Sequence, residues 1–74
     1  MSELRILFGK KLRALRRAND MTQENLAEKI GVSVEFVSNV ERGINAPSFE
    51  TLEKITIVLK TKYKDLFDFD VNNE

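Results

Sequence analysis

Residues 22–43 read TQENLAEKIGVSVEFVSNVERG, and the architecture of the chain turns on this stretch. Thr22 is a good helix N-cap: its hydroxyl can satisfy an amide left orphaned in the first turn, while Glu24 puts negative charge at the positive end of the helix dipole. Leu26, Ala27 and Ile30 then form a narrow apolar face, and Gly31 ends the segment by turning left-handed at little cost. Ser33 caps another helix just beyond that glycine, with Glu35 early in it. Val37 and Val40 supply the buried face of this helix, and Gly43 closes it. Two short helices joined by a tight glycine-containing turn make a helix-turn-helix unit.

Working outward, Leu4, Phe8, Leu12 and Leu15 recur every three or four residues and predict one apolar stripe of a preceding helix. Arg13, Arg16 and Arg17 lie beside or opposite that stripe, and Asn19-Asp20 is a stop signal. On the other side, Pro47-Ser48 opens a fourth helix capped by Ser48, with apolar residues at Phe49, Leu52, Ile55, Ile57, Val58 and Leu59. Thr61 breaks the pattern, and a final turn or short helix covers Tyr63 to Phe67. No strand pattern, repeat or low-complexity segment interrupts this order. The expectation is an all-α, compact five-helix domain over residues 1–68. A short acidic tail, 69–74, is expected to fray despite Phe69 and Val71.

A chain of 74 residues makes one domain, near the lower size limit for a self-supporting core. It contains neither cysteine nor histidine, which removes disulfides, thiolate metal sites and the commonest general base. No catalytic residues, metal or cofactor are expected. Nothing reads as a membrane span or a signal peptide, so the expected location is the cytoplasm, with no membrane partner. The formal net charge is zero, but its distribution is uneven. Arg5, Lys10, Lys11, Arg13, Arg16 and Arg17 face only Glu3 within residues 1–18, whereas acids outnumber bases in the rest of the chain. The first helix therefore carries either a basic binding face or an ordinary solvated surface.

The helix beginning at Ser33 has a physical logic of its own. Ala27 is small enough for the two helices of the unit to approach closely, and Val37 and Val40 lock the second of them down. The residues between point outward on a helix with an exposed N-terminus, and the major groove of duplex DNA is wide enough to admit such a helix.

The chain resembles the phage-repressor and Cro-type helix-turn-helix family, also called the xenobiotic-response-element family. The likeness runs through Phe8-Gly9, Leu12-Arg13, Leu15-Arg16, Met21-Thr22-Gln23, Leu26-Ala27 and Gly31-Val32-Ser33. It continues through Val37-Ser38, Val40-Glu41-Arg42-Gly43, Pro47-Ser48 and Leu52 to Asp65-Leu66-Phe67. The resemblance implies a lambda-repressor-like domain that binds double-stranded DNA as a transcriptional regulator. It implies a phosphate contact at Gln23 and a backbone contact at Ser33, beside its capping role. It implies groove-facing positions at Val34, Glu35, Ser38 and Asn39, and phosphate contacts near Arg42 and Asn45. An Asn39 amide can pair with adenine, Val34 can pack on a thymine methyl, and Glu35 can accept from cytosine or simply favour the helix N-terminus. Phe36 either joins the core or lies against the sugar–phosphate wall. Arg16 and Glu41 match a salt bridge that would fix the angle of the recognition helix. Lys10 and Arg17 are further phosphate candidates.

The reading that follows is a sequence-specific regulator acting as a homodimer on a palindromic operator, with no small-molecule ligand. One recognition helix reads too few bases alone, and two related by a twofold axis read half-sites about one helical turn apart. Ile57, Leu59, Tyr63, Leu66, Phe67 and Phe69 are apolar groups available either to a partner or to the chain's own core. Zero net charge, Glu35 and the uncharged Ile44-Asn45-Ala46 loop favour an alternative, an interaction module that kept the fold and lost DNA binding. No nucleophile–base pair, metal set or phosphate loop suggests an enzyme.

Overall fold

The computed structural model describes residues 2–69. Five α-helices follow one another: α1 (Glu3–Ala18), α2 (Gln23–Ile30), α3 (Val34–Glu41), α4 (Phe49–Leu59) and α5 (Tyr63–Leu66). No strand occurs among the described residues. The expected all-α, five-helix order is what the chain adopts, with α5 ending one residue before Phe67.

Each of the four longer helices starts at a hydroxyl cap. Ser2, Thr22, Ser33 and Ser48 accept from the backbone amides of Arg5, Asn25, Phe36 and Thr51. At α2 the cap is reciprocal, because the Asn25 side chain also accepts from the Thr22 amide at 3.0 Å. The turn between α2 and α3 depends on Gly31, whose φ of 76° lies in the left-handed region. Caps of this kind are worth about 1 kcal/mol each, enough to define where such short helices begin.

The core draws on every helix. Phe8 and Leu12 of α1, Leu26, Ala27 and Ile30 of α2, Val37 and Val40 of α3, Ile55 and Leu59 of α4, and Leu66 of α5 are all buried. Burying a side chain of this size contributes roughly 1.5–3 kcal/mol. The α1–α3 contact is unusually tight at Gly9. A Cβ there would run into the carbonyl oxygens of Val40 and Glu41, the latter at 2.6 Å. Only glycine lets α1 lie directly on the end of α3, so this position fixes the seat of α3.

Several apolar residues behave differently from the periodicity reading. Leu4 is 54% exposed. It lies one turn before Phe8, on the rim of an open groove of about 240 Å³ bordered by Pro47, Leu52 and Phe67, so no helix covers it. Phe49 is 82% and Ile57 75% exposed. Phe49 is the first residue of α4, where side chains lean back beyond the helix start, and Ile57 lies about 200° around the helix from both Ile55 and Leu59. Conversely, Leu59 and Leu66 are buried in the chain's own core. Phe67 packs its ring 5.3 Å from that of Phe8, and Phe69 meets Phe67 edge-on at 6.1 Å. Phe69 also packs against the core, so this part of the expected tail is anchored; Asp70 to Glu74 lie outside the described residues.

Candidate nucleic-acid interface

The order of exposure along α3 separates an inner from an outer face. Val37 and Val40 are 1% and 2% exposed, while Val34 and Glu35 stand in solvent and Ser38 and Asn39 are half-exposed. The Ser33 hydroxyl accepts from the Phe36 amide at 3.0 Å, and Ser33 itself is exposed at the start of the helix. Phe36 is half-buried and packs on the core, the first of its two expected placements. The residues singled out from the sequence, Ser33, Val34, Glu35, Ser38 and Asn39, thus share the outward side of one short rigid helix. Arg42 is exposed as the C-cap residue at the end of α3.

What holds that helix at its angle is a buried polar network. The Arg16 guanidinium from α1 donates to Glu41 through Nε at 2.7 Å and Nη2 at 3.0 Å, a two-pronged pair in which the Glu41 side chain is only 2% exposed. Its remaining nitrogen, Nη1, donates to the Met21 carbonyl at 2.7 Å, tying in the turn before α2. Hydrogen bonding to Glu41 raises the Arg16 pKa above its ordinary value, burial opposes this, and the carboxylate's charge adds to the rise. The guanidinium therefore remains charged, and no buried side-chain polar atom among the described residues lacks a partner. The pairing expected between Arg16 and Glu41 is present.

Gln23 joins the same network. Its Nε2 donates to Glu41 Oε1 at 3.0 Å, so one hydrogen of this amide is committed inward and the other is left for an outside acceptor. The carboxylate can only accept, so the amide orientation is dictated by chemistry. Residues of α1, α2 and α3 thereby converge on one carboxylate. The sequence marked Gln23 and Glu41 separately and gave no sign of their link, because they lie far apart along the chain and meet only once α2 and α3 pack.

A second contact was legible in principle. Arg42 Nη2 donates to Asn39 Oδ1 at 2.8 Å, and residues three apart on a helix are neighbours. The loop that follows is drawn back onto α3: the Asn39 carbonyl accepts from the amides of Ile44 at 2.9 Å and Asn45 at 3.3 Å. Arg5 reaches across from α1 to the Ile44 carbonyl at 3.4 Å. Lys10 and Arg17 are exposed on α1. Among the described residues no group of acidic side chains could hold a metal ion, and no helix is long and apolar enough to cross a membrane.

Comparison with known proteins gives this geometry a context. The sequence pattern of the helix-turn-helix family matches residues 12–66. The chain is 38% identical over 69 residues to the control protein C.BamHI of Bacillus amyloliquefaciens, covering 92% of this chain and 85% of that one. It is 35% identical over 75 residues to the control protein C.MunI of a Mycoplasma species, covering 100% of both. In three dimensions it resembles the restriction-modification controller protein C.AhdI of Aeromonas hydrophila with a TM-score of 0.81 and 35% identity, over 85% of this chain and 96% of that one.

Proposed function

The chain belongs to the helix-turn-helix family and is a sequence-specific DNA-binding transcription regulator, and from that premise we propose that it works as a homodimer whose two α3 helices read a palindromic operator. The observation that carries this reading is the division of α3 into a buried valine face and an outward face of Val34, Glu35, Ser38 and Asn39, fixed in angle by the Arg16–Glu41–Gln23 network. In this reading Ser38 and Asn39 meet base edges, and Val34 meets a thymine methyl. Glu35 accepts from a cytosine amino group, while Gln23, Ser33 and Arg42 meet the sugar–phosphate backbone.

The homodimer is supported by what the monomer leaves uncovered. Phe49 and Ile57 on α4 and Tyr63 at the start of α5 are exposed although the core is complete without them. Large exposed apolar groups on a chain this small are candidates for burial against a second copy. The reading extends to control of restriction–modification genes, supported by relatives of that kind that match along most or all of their length. Such a protein acts in the cytoplasm, where its DNA is.

The test is selection of bound duplexes from a random pool, followed by binding at several salt concentrations. A symmetric consensus with half-sites about one helical turn apart is expected, with affinity falling steeply as salt rises because phosphate contacts release counterions. A non-symmetric consensus removes the dimeric, palindromic reading. Binding that ignores salt removes the phosphate contacts assigned above.

A further inference from the structure

We propose that Arg42 is a positioning residue that decides which base Asn39 selects, making Asn39 a reader of guanine; this rests on the assignment of α3 as the recognition helix. Arg42 Nη2 lies 2.8 Å from the Asn39 side chain. A guanidinium has donors and no acceptor, so the amide atom it meets is the oxygen, Oδ1. That fixes the flip of the amide. The Nδ2 hydrogens are then the part of Asn39 left to face outward.

The pair sits on a well-closed helix end. The Arg42 amide donates to the Ser38 carbonyl at 3.0 Å, and the Asn39 carbonyl takes the amides of Ile44 and Asn45. Among the described residues the one ion pair joins Arg16 to Glu41, so no carboxylate draws the Arg42 guanidinium away from Asn39. Arg42 is exposed and Asn39 half-exposed, so both are within reach of a duplex laid along α3.

The consequence follows from base-edge chemistry. An unencumbered asparagine reads adenine by accepting from the N6 amino group and donating to N7. Here Oδ1 already accepts a charge-assisted bond, so an adenine amino group would have to share that oxygen with a cation whose N–H groups repel its own. Donor would face donor. Guanine instead presents N7 and O6, both acceptors, to the Nδ2 hydrogens, while the remaining guanidinium N–H groups stay available to the backbone. Exclusion of water from the groove strengthens both the attraction and the penalty.

The experiment compares the unaltered protein with Asn39→Ala, Arg42→Met and Arg42→Lys. Each is first shown by circular dichroism to be folded, and each is then measured against duplexes carrying all four base pairs at every position of a selected site. Asn39→Ala identifies the base pair read by Asn39 as the one whose preference flattens. The unaltered protein is expected to prefer guanine there. Arg42→Met frees Oδ1 and moves the guanine-to-adenine ratio toward adenine by roughly tenfold. Arg42→Lys restores a cationic donor and returns the guanine preference. An adenine preference in the unaltered protein overturns the proposal. So does an Arg42→Met variant that loses affinity equally on all four bases and lowers the salt slope by about 1, the signature of a phosphate contact alone. If Asn39→Ala flattens no position, the assignment of α3 as the base reader fails along with it. That result is distinct from the case in which Asn39 reads a base and Arg42 does not alter the choice.

Discussion

Replacing Glu41 by alanine should remove much of the stability of this domain. The carboxylate accepts three hydrogen bonds, two from Arg16 and one from Gln23, and its side chain is almost fully enclosed. Without it the Arg16 guanidinium keeps only the Met21 carbonyl while remaining buried beneath α3. Removing one partner of a buried ion pair costs about 3–5 kcal/mol, because the other charge is left uncompensated. A folded chain of this length has roughly 4–11 kcal/mol in total. The loss therefore ranges from about a quarter of it to all of it, and even the lower value depresses the melting temperature by about 12–24 °C. Urea unfolding followed by far-UV circular dichroism measures this directly. The double substitution Arg16→Met with Glu41→Leu should recover most of the stability, since an apolar pair of similar volume replaces an ion pair at little net cost. It should not recover DNA affinity, because the two-pronged geometry that sets the angle of α3, and the anchor of Gln23, are both gone. A loss under about 1 kcal/mol for Glu41→Ala, the value of an exposed pair, would refute this reasoning. Losses that simply add in the double variant would refute it as well.

Gly9→Ala should destabilise by about 1–3 kcal/mol or more, because the new methyl meets backbone carbonyls of α3 that cannot move aside independently; chemical denaturation measures it. Ser33→Ala should cost about 1 kcal/mol through the lost cap at the Phe36 amide, read from the unfolding midpoint, and additionally weaken binding to duplex DNA. Phe49→Ser combined with Ile57→Ser should leave the unfolding of the monomer within about 0.5 kcal/mol, since both side chains are exposed, while sedimentation shows the dimer dissociating at concentrations where the unaltered protein remains paired.

The caps and turns were readable residue by residue because they are local. Thr22, Gly31, Ser33 and Ser48 act on amides and torsions within a few residues, so the boundaries of α2, α3 and α4 followed from the sequence. Apolar periodicity placed Phe8, Leu12, Val37, Val40 and Ile55 inside for the same reason. It misplaced Leu4 and Phe49, because a helical stripe says which side is apolar and not how far the neighbouring helices extend to cover it. The fate of Leu59, Leu66 and Phe69 was open in the sequence and is settled by packing in or against the core, whereas Ile57 stays exposed and Phe67 stacks on Phe8 with 41% of its surface still exposed. At the candidate interface, the outward set on α3 was legible from its spacing against Val37 and Val40. The commitment of Gln23 to Glu41 was not, since it joins two helices whose relative position no local signal encodes.

The central claim concerns where duplex DNA touches the chain. Backbone amide resonances recorded while a selected duplex is titrated in would locate that contact without altering a residue. The largest shifts should fall on Gln23 and on the Ser33 to Asn39 run, with Arg42 following and the exposed part of α4 around Phe49 and Ile57 unmoved by the nucleic acid itself. Shifts confined to α4 and α5, with the outer side of α3 silent, would contradict the account.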